Sequence, residues 1–320
     1  MRETVSGDTP LFIQYTKETD VAMKQINIKT ILSENAALID KTLPNYLETE
    51  DADLSLLYES MRYSALAEGK RIRPFLVMEF CRMFGGTEVA ALPFACAIEC
   101  VHASSLIHDD MPCMDNDELR RGKPTNHVVF GEDIALLAGD ALITRGYEIA
   151  ARNGEVAPEI ALSATAMLLR NAGAFGMMGG QQIDLWGENN HVDFPLLLKM
   201  HEKKTGALIR ASAMLGCYAA GISSENDSRM RDAVAYASGV GLAFQVIDDI
   251  LDATGDEATL GKKVHADTKL EKTTFLSEMS IDEAMAYAEK ITEEAIGAIE
   301  KYENSEVLIA LARYLLSRRN

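Results

Sequence analysis

Two stretches of this chain read as helices that are apolar on several faces, and both end in aspartates. The first closes with Ser104-Ser105-Leu106-Ile107-His108-Asp109-Asp110-Met111-Pro112-Cys113-Met114-Asp115-Asn116-Asp117. The second closes with Leu242-Ala243-Phe244-Gln245-Val246-Ile247-Asp248-Asp249-Ile250-Leu251-Asp252. A helix that is apolar all round belongs in a core. Aspartate is almost never buried without a partner, and ionised carboxylates in apolar surroundings need cations or must take up protons. A single such cluster reads equally well as a solvated helix end. Two of the same composition point instead to buried helices that carry their acidic ends to a polar site.

The rest of the chain is read by helical spacing. Ile31, Leu32, Ala36, Leu38 and Ile39 mark a first helix, and Leu54, Leu57, Tyr58, Met61 and Ala65 a second. Further helices are predicted at about 71–84, 88–111, 132–152, 157–178, 193–221, 227–254 and 281–317. The breaks between them hold Gly85-Gly86, Gly122, Pro124, Gly131, Asn153-Gly154, Gly187, Gly221 and Gly255. No run of alternating residues predicts a sheet, so the expected class is all-α. Residues 1–27 read as a loose polar tail, and 28–320 as one domain without internal repeats.

Charge and cysteine usage narrow the function. With 31 basic against 49 acidic residues the formal net charge is −18, which repels nucleic acid and anionic membrane. Cys81, Cys96, Cys100, Cys113 and Cys217 form no disulfide framework and no secretory leader precedes them, so reduced thiols and a cytoplasmic location are expected. Cys96 and Cys100 lie one turn apart near His102; core packing is favoured over zinc binding. The stretch 91–107 carries Glu99, His102, Ser104 and Ser105 and reads as a poor membrane span.

Asp248 and Asp252 are four apart and share a helix face, with Gln245 a turn earlier. Asp109 and Asp115 would diverge by about 240° on an unbroken helix, but Pro112 argues for a break that lets them converge. Hard oxygen ligands without thiolates suit Mg²⁺, which takes one or two carboxylates together with phosphate oxygens and water. Direct cationic partners for phosphate are available in Lys70 and Arg73, in Arg120 and Arg121, in Lys203-Lys204-Thr205, and in Lys262-Lys263. The spacing around Lys262 is not that of a P-loop, His201-Glu202 lacks the second histidine of a zinc protease, and no Gly-x-Ser-x-Gly elbow occurs.

Five motifs in order resemble the polyprenyl synthetase family of trans-isoprenyl diphosphate synthases over about residues 28–318. They are Gly-Lys-Arg-Ile-Arg-Pro at 69–74, Asp-Asp-x4-Asp at 109–115 leading to Arg120-Arg121-Gly122, Gly-Gln-x-x-Asp at 180–184, Lys-Thr-Gly at 204–206, and Phe-Gln-x-x-Asp-Asp-x-x-Asp at 244–252. The resemblance implies an isoprenoid synthase-type helical bundle with a central cavity, usually a homodimer. It implies Mg²⁺ held by Asp109, Asp115 and Asp248, with Asp110, Asp249 and Asp252 in support. Arg120, Lys204 and Lys262 would contact an allylic diphosphate, and Lys70, Arg73, His102 and Arg121 isopentenyl diphosphate. Thr205, Gln245 and the Lys204 carbonyl would flank the reacting carbons.

In such enzymes the residues before the first acidic cluster form the cavity floor. Ala103 and Ser104 are small, which implies a geranylgeranyl (C20) product, with farnesyl (C15) the alternative if Phe175, Met177 or another side chain closes the cavity. The Pro112-Cys113 insertion resembles bacterial short-chain and plant-type members. A terpene cyclase would not need the paired basic motifs. A non-catalytic partner subunit would commonly have lost an acidic cluster. Lys272-Thr273-Thr274-Phe275-Leu276 stands where the family often has a late Lys-Thr-Tyr-Pro, which leaves the role of Lys272 open.

Overall fold

The computed structural model describes residues 26–254 and 273–318. Lys262, Lys263, Lys272 and most of the predicted N-terminal tail lie outside the described residues. Asn27 caps the first helix, its side chain accepting from the Thr30 N–H at 3.3 Å. Helix α1 (Ile28–Thr42) then buries Ile28, Ile31, Leu32, Asn35 and Ile39, one apolar stripe at helical spacing.

The chain continues through α2 (Ser55–Ala65), α3 (Ile72–Met83) and α4 (Glu88–Asp109). Thr87 caps α4 by accepting from the Ala90 N–H. A two-residue hairpin follows, β1 (Leu119–Arg120) against β2 (Lys123–Pro124). Arg121 (φ 53°) and Gly122 (φ 75°) make its turn, both in the left-handed region that a tight hairpin demands. Beyond it come α5 (Asn126–Phe130), α6 (Glu132–Ala151), α7 (Pro158–Ala172), α8 (Met177–Gly187) and α9 (Phe194–His201). A π turn (Glu202–Gly206) joins α9 to α10 (Ala207–Ala219), and α11 (Ser228–Thr254), α12 (Ile281–Ile299) and α13 (Glu306–Leu316) complete the described chain.

The all-α expectation holds, with the hairpin as its one exception among the described residues. Two expected helices are broken. The stretch 157–178 ends at Ala172, because Gly173 leaves helical geometry and the chain turns before α8. The stretch 281–317 is interrupted before α13, where Asn304 takes φ 61°.

Helix α4 is the centre of the bundle, packed by α3, α6 and α10. Phe94, Ala95, Cys96, Ala97, Ile98, Cys100 and Val101 are fully covered on it. By length and hydropathy alone α4 and α11 both qualify as membrane spans, α4 included despite its polar residues. Most of the apolar window of α4 and half of that of α11 is covered by other helices. A second, smaller apolar cluster joins α11, α12 and α9 around Phe275. All five cysteines are unbridged, and Cys113 is the exposed one.

Candidate active site

Helix α4 stops at Asp109, and the loop beyond it folds back. The Asp115 N–H donates to the Asp109 carbonyl at 2.9 Å, and the Asn116 N–H to that of Met111 at 3.1 Å, with Asn116 at φ 53°. This closure returns Asp115 to Asp109, which an unbroken helix would not allow. Burial pushes the Asp109 carboxyl up to about 6; Asp115 and Asp110 add to the rise, while Lys204 and Arg120 oppose it.

Asp110, about 100° further round the helix, faces elsewhere. It is buried, and its carboxylate accepts from Arg120 Nε at 2.9 and 2.8 Å and from Nη2 at 2.6 Å. Such a fork fixes the guanidinium plane. Asp110 therefore orients Arg120, and Arg120 carries Asp109 and Asp117 within its field.

The second cluster follows the same division. On α11, Asp248 Oδ1 lies 3.3 Å from Arg318 Nη1, and that guanidinium sits 4.9 Å from the Phe244 ring centroid. Asp249 turns into the protein, its Oδ2 accepting from the Phe275 N–H at 2.8 Å. Asp252 follows Asp248 by one turn on the same face.

Between the clusters lies the π turn. A π turn inserts a residue into the helical ladder and is a frequent mark of functional sites. Helix α8 presses directly on it: a Cβ at Gly180 would stand 2.1 Å from the Lys204 backbone N. Four residues on, Asp184 Oδ2 accepts from Lys204 Nζ at 2.6 Å. From the other side α11 brings Gln245, whose Oε1 accepts from Thr205 Oγ1 at 3.1 Å and lies 3.3 Å from His201 Nδ1. His201 stacks on Phe275 with centroids 5.1 Å apart. Burial pushes the imidazole down to about 4, so it is neutral at physiological pH.

A second cationic group forms where α3 meets α4. Arg73 Nη1 lies 3.3 Å from His102 Nε2. Burial first, then the neighbouring Arg73, Arg121, Arg120 and Arg71, hold His102 well below its usual value, so its neutral ring accepts from Arg73. Arg121 donates to the Glu68 carbonyl beside Gly69, which brings it to the loop carrying Lys70. Lys70 is exposed, its ammonium 5.9 Å from the Tyr314 ring centroid. Arg71 is not part of this group. It takes φ 48° and is spent on Glu99 at 2.6 Å and Asp40 at 2.9 Å.

Part of this arrangement borders a cavity of about 790 Å³; Asp110, Arg120 and Arg121 line a neighbouring pocket, and no residue of the second aspartate cluster lines the cavity. Arg73, His102, Asp109, Lys204 and Thr205 are polar members of its wall, and Ile143, Met177, Leu185, Trp186 and Leu208 are apolar ones. Ser104 and Ser105 face it, whereas Ala103 is buried in the helical core and does not line it. One step along a helix turns a side chain by about 100°, so the small residues at the wall are 104 and 105 rather than 103 and 104. Met177 lines the cavity, but Phe175 is 68% exposed on the loop before α8 and does not.

Sequence reasoning passed over several of these residues. Gly180 and Asp184 belong to the Gly-Gln-x-x-Asp motif, but the motif alone assigns them no role; His201-Glu202 alone does not point to Gln245, and nothing local marks Arg318.

The donor set fits Mg²⁺. Among the described residues no three His, Cys, Asp or Glu side chains converge to hold a metal ion by themselves. Arg73 Nε and both amide atoms of Gln181 are buried without a protein partner, and both residues line the cavity, as a wall built for a polar ligand requires.

The polyprenyl synthetase family pattern matches residues 54–314. A geranylgeranyl diphosphate synthase of Cyanophora paradoxa is 40% identical over 92% of this chain and 97% of its own length. A chloroplastic geranylgeranyl pyrophosphate synthase of Catharanthus roseus is 44% identical over 82% of this chain and 74% of its own. Among solved structures, an FPP/GFPP synthase of Zymomonas mobilis superposes with a TM-score of 0.81 at 36% identity, over 91% of this chain and 99% of that one. A geranylgeranyl pyrophosphate synthetase of Pyrococcus horikoshii gives 0.81 at 31%, over 91% and 98%. With four of its five motifs contributing to one cavity wall and these relatives spanning most of its length, the chain belongs to the polyprenyl synthetase family and is a short-chain trans-prenyl diphosphate synthase.

Proposed function

We propose that the chain condenses isopentenyl diphosphate with dimethylallyl, geranyl and farnesyl diphosphates to give geranylgeranyl diphosphate. The observation that carries this is one cavity of about 790 Å³ with Asp109 and Lys204 in its wall, a second cationic pair in Arg73 and His102, and the small Ser104 and Ser105 along α4. That volume lies within the range of a pocket that engulfs a ligand of this size.

Lys204, Arg120 and, outside the described residues, Lys262 take the allylic diphosphate. Arg73, His102, Lys70 and Arg121 take isopentenyl diphosphate. Asp109, Asp115, Asp248 and Asp252 would hold Mg²⁺, which would supply positive charge to the departing diphosphate. Asp110 and Asp249 support that arrangement by holding Arg120 and the Phe275 turn. The C1–O bond breaks, and the Lys204 carbonyl and Thr205 hydroxyl offer fixed dipoles to the allylic cation, with Gln245 behind Thr205. The alkene of isopentenyl diphosphate attacks C1, and the proton lost in forming the new double bond passes to the released diphosphate. Apolar walls keep water from the cation.

The same proposal includes a homodimer and a cytoplasmic location. Leu136 and Leu137 on α6, Leu162 and Leu169 on α7, and Phe175 are exposed apolar side chains, which supports a partner covering some of them. Five unbridged cysteines support a reducing compartment.

The test is purified chain with Mg²⁺, each allylic primer and labelled isopentenyl diphosphate, with products separated by chain length. A C20 product is expected. Arrest at C15 would replace the geranylgeranyl reading by the farnesyl one. Turnover that needs a second protein would replace it by the partner-subunit reading.

A further inference from the structure

His201 enters neither the motifs nor the metal-binding scheme, yet it is 9% exposed, stacked on Phe275 and aimed at the amide of Gln245. His201 precedes the π turn, Thr205 lies within it, and the two meet on a single atom, Gln245 Oε1. Only Thr205 of these three lines the cavity. Gln245 stands behind Thr205, and His201 beside Gln245.

The direction of these hydrogen bonds has a chemical consequence. A hydroxyl carries one proton and two lone pairs. When the Thr205 proton is donated back to Gln245, the oxygen lone pairs are left for the cavity, the polarity a developing cation requires. If the amide were reversed, its NH₂ would donate to Thr205 and the hydroxyl proton would turn into the cavity. What decides the amide orientation is the imidazole. An Nδ1–H can meet only an acceptor, Oε1, whereas a bare Nδ1 would call for the NH₂. His201 Nε2 is buried with no protein partner, so nothing on that side competes for the ring proton. Phe275, against which the ring lies flat, is itself fixed by Asp249.

We propose that His201 is a positioning residue: its Nδ1–H locks Gln245 with Oε1 toward Thr205, and so turns the oxygen of Thr205 toward the allylic cation. This rests on the assignment of Thr205 to the reacting end of the cavity.

The experiment combines a structural readout with kinetics. Histidine ¹⁵N NMR of the wild-type chain should show His201 as the Nδ1–H tautomer; an Nε2–H tautomer overturns the proposal. In the condensation assay, His201→Phe keeps a ring against Phe275 but loses the donor. It should lower kcat by roughly 10- to 100-fold with both KM values within about twofold. His201→Asn, whose amide N–H replaces Nδ1–H, should recover most of that loss. In a Thr205→Val background, His201→Phe should cost nothing further. An unchanged kcat for His201→Phe, no rescue by Asn, or additive losses with Thr205→Val would each defeat the idea. Should the wild type fail to elongate at all, the proposed function falls, and the tautomer still decides the arrangement inferred here.

Discussion

Lys204 Nζ donates to Asp184 Oδ2 at 2.6 Å, so a carboxylate from α8 holds the cation that acts most strongly on Asp109. Asp184 is buried and Lys204 is half-buried, which makes this a charge-assisted bond largely removed from solvent. Asp184→Asn keeps the shape and removes the charge. Bonds of this kind are worth about 1.5–3 kcal/mol, so kcat/KM for the allylic substrate should fall roughly 10- to 100-fold. KM for isopentenyl diphosphate should hold, since Arg73 and His102 are untouched. Steady-state kinetics with each substrate varied in turn separates the two; an equal rise in both KM values would contradict the assignment.

Gly180→Ala tests how closely α8 must approach the π turn. Its new methyl would lie 2.1 Å from the Lys204 backbone N and 2.5 Å from its Cα, both main-chain atoms that cannot rotate away. Overpacking of this sort costs about 1–3 kcal/mol, and the displacement falls on Lys204 and Thr205. We expect a Tm lowered by a few degrees together with a kcat loss larger than that of Asp184→Asn. A variant that melts lower but turns over normally would show that the approach serves stability alone.

Much of this site was legible in the sequence because helical spacing is local. Asp248 and Asp252 at four residues share a face by geometry alone, and Pro112 announced the break that returns Asp115 to Asp109. The unread part consists of contacts between distant segments. Asp110 with Arg120 crosses the loop, His201 with Gln245 spans 44 residues, and Arg318 with Asp248 spans 70. Both Asp-Asp pairs looked like metal ligands, but neighbours on a helix diverge by about 100°. The second aspartate of each pair is therefore free to serve the protein, Asp110 with Arg120 and Asp249 with Phe275. The break between α7 and α8 was missed because the apolar residues Phe175, Met177 and Met178 continue through Gly173 and Gly176.

Ser104→Tyr should shorten the product. Ser104 is 1% exposed and its face of α4 borders the cavity about 7.5 Å along the helix from Asp109. A phenol there occupies space that the growing tail would enter. Conversely, Met177→Ala enlarges the cavity at another lining position and should lengthen it. Ala103→Tyr is the contrast, because residue 103 packs into the core; it should destabilise the fold by about 1–3 kcal/mol rather than reset chain length. Chromatography of the products checks the first two and a thermal melt the third. An unchanged product distribution for Ser104→Tyr would remove residue 104 from the cavity floor.

Asp109→Asn should separate stability from activity. The Asp109 carboxyl is raised from 3.8 to about 6, mainly by burial. Between those values the folded chain binds the proton more tightly than the unfolded chain, so stability falls as pH rises through this window. Above about 6 the ionised carboxylate is a standing cost in the metal-free protein. Asparagine has no charge to desolvate. At pH 7.5 and without Mg²⁺, Asp109→Asn should therefore melt about 2–4 °C above the wild type, and at pH 3 the difference should vanish. Mg²⁺ with a diphosphate should reverse the order, since ligand bound only to the folded state stabilises it and the variant lacks the charge that binds it. Condensation should be lost in the variant. In the wild type, metal binding competes with the proton and should weaken as pH drops below about 6. Calorimetric melts with and without Mg²⁺ across pH read all of these together. A variant no more stable than wild type at pH 7.5 in chelator would show that the ionised Asp109 carboxylate carries no such cost.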